Sequence, residues 1–103
     1  LLAQAIAVEQ AGAQLLVLEC MPSSLAAEIT SALKIPTIGI GAGPDCDGQI
    51  LVSYDALGIN SGHRRPRFVK DLLRGNDSIE AAFRQYVQEV KNGAFPQPEH
   101  GYA

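Results

Sequence analysis

Apolar residues along this chain come in two rhythms. Over residues 1–11 they fall at 1, 2, 5 and 8, and again at 6, 7 and 11, a broad helical stripe that Gly12 ends. Residues 14–18 close instead on a continuous run, Leu15, Leu16, Val17 and Leu18, which predicts a short strand buried on both faces. Ser23 or Ser24 then stands where it caps a helix reaching Leu33. Leu25, Ile29 and Leu33 recur at a spacing of four in that helix, and Lys34 sits at the end its dipole favours. A second strand is expected within "IPTIGIGAG", 35–43, where Pro36 is tolerable only at the start. A third is expected at 49–52, followed by one helical turn for which Asp55 reads as the N-cap. Residues 67–74 predict a short helix. Residues 77–93 predict a long one, capped by Asp77 or Ser78, striped by Ile79, Phe83, Tyr86 and Val90, and ended by Gly93. "NSGHRRPR" and the tail "AFPQPEHGYA" read as irregular.

Strands alternating with helices imply parallel pairing through right-handed crossovers. Three such strands leave a raw edge and an uncovered face. The pattern therefore predicts part of a larger α/β domain, either an open doubly wound sheet or a (β/α)₈ barrel. In both, the C-terminal ends of strands line the active site. The opening "LLAQAIAVEQAG", without Met and already in mid-pattern, reads as an internal helix, with the true N-terminus expected upstream.

Composition narrows the function classes. The 103 residues are 47% hydrophobic and 18% charged, as in one packed globular domain. A net charge of −3 argues against a general nucleic-acid binder. The basic cluster Arg64, Arg65, Arg67, Lys70 and Arg74 reads as a solvated loop and helix start. No apolar run approaches the ~18 residues of a membrane span, and no signal-peptide pattern is present. Cys20 and Cys46 are too isolated for a zinc site or a disulfide framework, so reduced thiols are expected. That fits a cytoplasmic protein, with an organellar address left open because a targeting peptide would lie upstream.

Four features carry candidate chemistry. Glu19 places a carboxylate at the end of an apolar strand, which is costly unless the charge is used or compensated. It reads either as a general base or acid, or as a carboxylate satisfied by loop N–H groups or a basic neighbour. Glycines at 39, 41 and 43 follow a strand and invite a phosphate- or nucleotide-binding reading, but Pro44 stands where the fingerprint needs its third glycine. The alternative is backbone that must pack closely against a ligand or a neighbouring strand. Asp45 and Asp47 form a D-x-D pair that reads as an Asx-type turn rather than a divalent-metal site. His63 and His100 lie in polar loops and read as solvated.

The joined motifs "AGAQLLVLECMP", "IPTIGIGAG", "CDGQILV" and "DALGI", with a final "FP" and "EH", closely resemble the 3-methyl-2-oxobutanoate (ketopantoate) hydroxymethyltransferase family. The resemblance covers essentially all 103 residues and corresponds to the C-terminal part of the family's chain. It implies a (β/α)₈ barrel of the phosphoenolpyruvate/pyruvate superfamily type. Residues 1–103 would be the C-terminal portion of that single domain, with about strands six to eight and their helices present and the N-terminal strands missing. The implied reaction moves a one-carbon unit from 5,10-methylenetetrahydrofolate to 3-methyl-2-oxobutanoate, giving 2-dehydropantoate in pantothenate biosynthesis. The family's catalytic base maps onto Glu19, as proton acceptor. Ile40, Gly41 and Ile50 map onto the substrate pocket. The resemblance implies a Mg²⁺ ion held by residues outside this chain, with no metal ligand within it. It further implies a homo-oligomer, decameric in bacterial members, with no nucleic-acid or membrane partner, and a fragment that is inactive alone. Ser53-Tyr54 before Asp55 departs from an "HD"-like pattern common in the family, which weakens any role for Tyr54. Two readings from other classes stand beside this one: a phosphate-binding module built on the glycine loop, and a purely structural piece.

Overall fold

The computed structural model of the chain describes residues 1–59 and 65–103, so the readings of His63 and Arg64 lie outside the described residues. Helix α1 spans Leu2–Gln10 and leads into strand β1, Leu16–Glu19. Helix α2, Ser23–Ala32, returns the chain to strand β2, Thr37–Ile40, and strand β3 follows at Gly48–Gln49. The three strands form one parallel sheet in the order β1-β2-β3. Leu16 lies opposite Thr37 and Glu19 opposite Ile40 in the register. An α/β chain with a parallel sheet is therefore observed.

The first core explains why one face of β1 is covered. Ala5 of α1 and Ala26 and Ile29 of α2 close over Leu18, joined by Leu33 and Ala42, with Leu16 packed against the cluster. Small alanines let the two helices approach the strand closely. The expectation of a strand buried on both faces is corrected here: Val17 is 48% exposed and Glu19 is exposed, while Leu18 is buried. Side chains alternate across a strand, and among the described residues only the Leu16 and Leu18 face carries helices. At the foot of the sheet the Glu9 carboxylate accepts from the backbone N–H of Lys34 (2.6 Å) and Ile35 (3.0 Å), tying α1 to the exit of α2.

Parallel neighbours usually need a crossover of a dozen or more residues. Residues 41–47 do the work without a helix. They leave the top of β2, lay Ala42 and Cys46 against the first core, and regain the foot of the sheet at Asp47. There the Asp47 carboxylate accepts from Thr37 N–H at 2.8 Å, and Asp47 N–H donates to the Thr37 hydroxyl at 3.3 Å. Thr37 is fully buried, and its hydroxyl also meets that of Thr30 on α2 at 2.8 Å. The Asx-turn reading of Asp47 is thereby replaced by a longer tie, from the end of the crossover back to the start of β2.

A second core lies further along the chain. Helix α3, Ser53–Ala56, and helix α4, Ile79–Asn92, bring Ala56, Leu57, Leu72 and Ala82 together. Val52, not Asp55, occupies the N-cap of α3, and Asp55 sits inside its first turn. The helix expected at 67–74 does not form. Asp71 accepts from the N–H groups of Leu73 (3.1 Å) and Arg74 (3.2 Å), a local side-chain alternative to helical bonding. Leu72 N–H goes instead to Ala56 O at 2.7 Å. Helix α4 starts as expected, with the Ser78 hydroxyl accepting from Ala81 N–H at 3.0 Å. Its stripe is rotated from the expected one: Ala82 and Tyr86 face the core while Ile79 and Phe83 are exposed. The inward face also carries Glu89, which pairs with Lys70 at 2.6 Å. Burial alone would raise the Glu89 carboxyl, but hydrogen bonds from Lys70 and Gln85 outweigh it and hold the group below its usual value. No helix among the described residues is long and apolar enough to cross a membrane.

Asp47→Ala in the intact protein removes the acceptor for a buried N–H and should destabilise the fold by about 1–3 kcal/mol. Asp47→Asn, which keeps one acceptor oxygen, should lose less. Urea denaturation midpoints measure both. A loss no larger than that of an ordinary surface substitution would contradict the tie between crossover and strand.

Candidate active site

Glu19 is the last residue of β1, and the ladder with β2 continues past it. Cys20 N–H donates to Ile40 O at 2.9 Å, and Met21 N–H donates to Gly41 O at 3.2 Å. Two main-chain bonds immediately after the carboxylate therefore fix where it leaves the sheet. Its side chain shares the open face with Val17, where nothing among the described residues covers it. The next residue turns sharply: Cys20 has φ 49°, in the left-handed region that side chains other than glycine rarely adopt. That turn carries the chain off the sheet and into α2.

The glycine loop is filled from within the protein. At Gly41 (φ 67°) an added Cβ would stand 3.0 Å from the Phe68 ring and 3.3 Å from Cys20 Sγ. At Gly43 (φ 80°) it would collide with the Ser23 side chain at the start of α2. The loop runs into β3 rather than opening a helix, so the geometry of a dinucleotide turn is absent from the described residues. Here the glycines serve close packing of backbone against α2 and Phe68.

The residues read as pocket wall fall in two environments. Ile40, opposite Glu19, is 8% exposed, and Gly41 is buried beneath Phe68 and Cys20. Ile50 lies one strand further on, 44% exposed, with its N–H donating to Gly39 O at 2.9 Å. Ile40 and Gly41 thus adjoin the Glu19 end of the sheet, whereas Ile50 belongs to its far edge. Cys46 packs into the first core, where burial pushes its thiol up against the lowering effect of the Thr37 and Thr30 hydroxyls. Both cysteines are free. Among the described residues no three His, Cys, Asp or Glu side chains gather to hold a metal ion.

The tail is part of this rim, which its irregular sequence concealed. Tyr102 pairs with Pro22 in a parallel bridge, and its carbonyl accepts from Ser23 N–H at 3.0 Å. The expected serine cap on α2 is therefore absent: Pro22 is the N-cap, and the Ser23 amide is satisfied by the tail. His100, read as solvated, is half-buried. Its ring lies 5.0 Å from that of Phe95, and its Nδ1 accepts from Gln97 N–H at 3.1 Å. Only the aromatic spacing in "AFPQPEHGYA" could have signalled a docked tail.

Residues 1–98 match the family model described as ketopantoate hydroxymethyltransferase. A 3-methyl-2-oxobutanoate hydroxymethyltransferase of Xanthomonas axonopodis pv. citri is 59% identical over 97 residues, covering 94% of this chain and 36% of that protein. Its counterpart in Stenotrophomonas maltophilia is 55% identical over 103 residues, covering 100% of this chain and 38% of its own length. The Xanthomonas oryzae pv. oryzae protein of the same name is 58% identical over 97 residues, covering 94% of this chain and 36% of its own. The chain thus spans a little over a third of the length of these relatives.

Acid should loosen the tail. Burial holds the His100 pKa below 6.5, with Lys70 adding to the effect and Glu99 and Glu89 opposing it. A depressed pKa contributes stability above the unfolded value, 6.5, which is lost as pH falls through the folded one. Protonation also removes Nδ1 as the acceptor for Gln97 N–H. Hydrogen exchange in the intact protein should show residues 97–103 and the Ser23 amide losing protection on acidification through that range. Protection unchanged between about pH 7.5 and a pH at which NMR shows the His100 ring to be protonated would refute the role of His100.

Proposed function

The chain belongs to the ketopantoate hydroxymethyltransferase family, and from that premise we propose that it supplies the catalytic base of a hydroxymethyl transfer. In this reading β1, β2 and β3 are about the sixth to eighth strands of a (β/α)₈ barrel, and residues 1–103 form the C-terminal portion of that one domain. The substrate is 3-methyl-2-oxobutanoate, the one-carbon donor is 5,10-methylenetetrahydrofolate, and the product is 2-dehydropantoate. The observation that carries the proposal is the position of Glu19, exposed at the C-terminal end of a parallel strand and fixed there by the Cys20 and Met21 main-chain bonds. Strand ends of this polarity are where barrels assemble their chemistry.

The step assigned to this chain is proton transfer. Glu19 accepts the proton from carbon 3 of the oxo acid, and the resulting enolate carbon forms the new bond to the one-carbon unit. Water supplies the hydroxyl, and tetrahydrofolate leaves. A carboxylate suits the role because carbon acids next to a carbonyl need a positioned base within hydrogen-bond reach of the proton. Ile40 and Gly41 adjoin Glu19 as neighbouring wall, and Ile50 closes the far side. The Mg²⁺ ion of the proposal is held by residues outside these 103. The intact protein is proposed to be a cytoplasmic homo-oligomer.

Glu19→Gln in the intact protein should lower kcat by ~10²–10⁴. Exchange of deuterium into carbon 3 of 3-methyl-2-oxobutanoate, measured without the folate, should fall in parallel. Near-normal turnover or exchange would sink the assignment. The 103 residues expressed alone, assayed with magnesium and both substrates, should give no product, since the base by itself leaves the enolate charge unstabilised.

A further inference from the structure

Where the tail crosses the loop after β1, it borders a half-open pocket of about 450 Å³ that the proposed proton transfer leaves unused. Ser23, Pro44, Arg67, Pro98, Gly101 and Tyr102 line it. Its volume falls in the range of small-molecule sites. Arg67 brings the charge. Nη1 of its guanidinium donates to Gly101 O at 3.3 Å, and its central carbon stands 5.4 Å from the centroid of the Tyr102 ring. A guanidinium has five N–H donors in a planar fork, and one of them is engaged here. Three other cations of the described residues already hold carboxylates: Arg65 with Asp71, Lys70 with Glu89 and Arg84 with Glu80. Arg67 has instead a carbonyl and an aromatic face, contacts that orient the fork, and no carboxylate among the described residues is paired with it. A planar fork held in this way suits bidentate contact with a carboxylate or a phosphate, and of the two the folate of the proposed reaction carries only carboxylates.

We propose that this pocket receives a carboxylate from the glutamate end of the folate co-substrate, gripped by Arg67. The inference rests on the proposed function and adds to it a site for the part of the donor that does not react. The reach is suitable. Ser23 follows Glu19 by four residues, so the pocket's edge lies within ~14 Å of the base by chain length alone. In the folate, a p-aminobenzoyl ring and an amide separate the one-carbon unit from the glutamate carboxylates. The oxo acid is far shorter, and only its keto carbon separates its own carboxylate from the carbon that loses the proton. A remote carboxylate held equally well in ground and transition states contributes to KM for the folate and not to kcat.

The test uses the intact protein with two donors, 5,10-methylenetetrahydrofolate and the corresponding tetrahydropteroate, which lacks glutamate. Arg67→Ala should raise KM for the glutamate-bearing donor about ten- to a hundred-fold, the weight of a charge-assisted bidentate pair. KM for the tetrahydropteroate and for the oxo acid should stay where they are, as should carbon-3 exchange. Arg67→Gln, which retains a donor for Gly101 O, should show the same selective loss, separating recognition from support of the tail. Equal shifts for both donors, a shift in the oxo acid instead, or no shift at all would overturn the proposal. A wild-type protein that uses neither donor overturns the proposed function, and this site with it. A wild-type protein that uses both donors with equal KM overturns this site alone.

Discussion

Everything at the rim depends on the parallel ladder between β1 and β2, and above all on its last two rungs. The bonds from Cys20 and Met21 to Ile40 and Gly41 extend the pairing beyond the final strand residue. A carboxylate on a free loop would sample many positions, whereas Glu19 is bracketed by main-chain bonds on the residues that follow it. The left-handed turn at Cys20 belongs to the same constraint, because the chain must leave the sheet at once to begin α2. Gly41 completes it. Any side chain there would press on Phe68 and Cys20 and disturb the rung that steadies the carboxylate.

The crossover transmits that order to the third strand. A connection of residues 41–47 is too short for a helix, so the stability a packed crossover helix would provide must come from specific ties. The Thr30, Thr37 and Asp47 bonds provide it at the foot of the sheet, and Gly43 against Ser23 provides it at the top. The Thr30 and Thr37 hydroxyls are tolerated there because each meets a partner. Backbone packing and polar satisfaction thus replace the apolar burial that a helix would have contributed.

How much of this was legible in the sequence depends on whether the deciding contact was local. Strand β1, α2 and α4 were readable because their signals lie within each segment: an apolar run, a spacing of four, Ser78 before the helix and Gly93 after it. The segment 67–74 was misread because its helical pattern competes with Asp71, whose carboxylate takes the N–H groups of Leu73 and Arg74. The face of α4 was misread because its inward residues meet partners distant in sequence, Ala82 with Ala56, Leu57 and Leu72, and Glu89 with Lys70, while Phe83 is exposed. Asp47 suggested only a local turn, since its partner Thr37 lies ten residues back. At the rim, Glu19 was visible as a charge ending an apolar run, and the glycines as a demand for close approach. What they approach, Ser23 and Phe68, was not, and neither was the tail laid across Pro22.

The openness of Glu19 bears on why a carboxylate stands there. The sequence pattern suggested an expensive charge at the end of a strand buried on both sides. In the structure none of the described residues covers its face of the sheet, which it shares with Val17. Leu16 and Leu18 hold the strand from behind, and the charge faces forward. The role proposed for Glu19 would use this division of labour, with apolar anchoring on one side of the backbone and the carboxylate on the other. Alternation along a single strand supplies both within four residues. The hydrophobic run therefore anchors Glu19 without enclosing it.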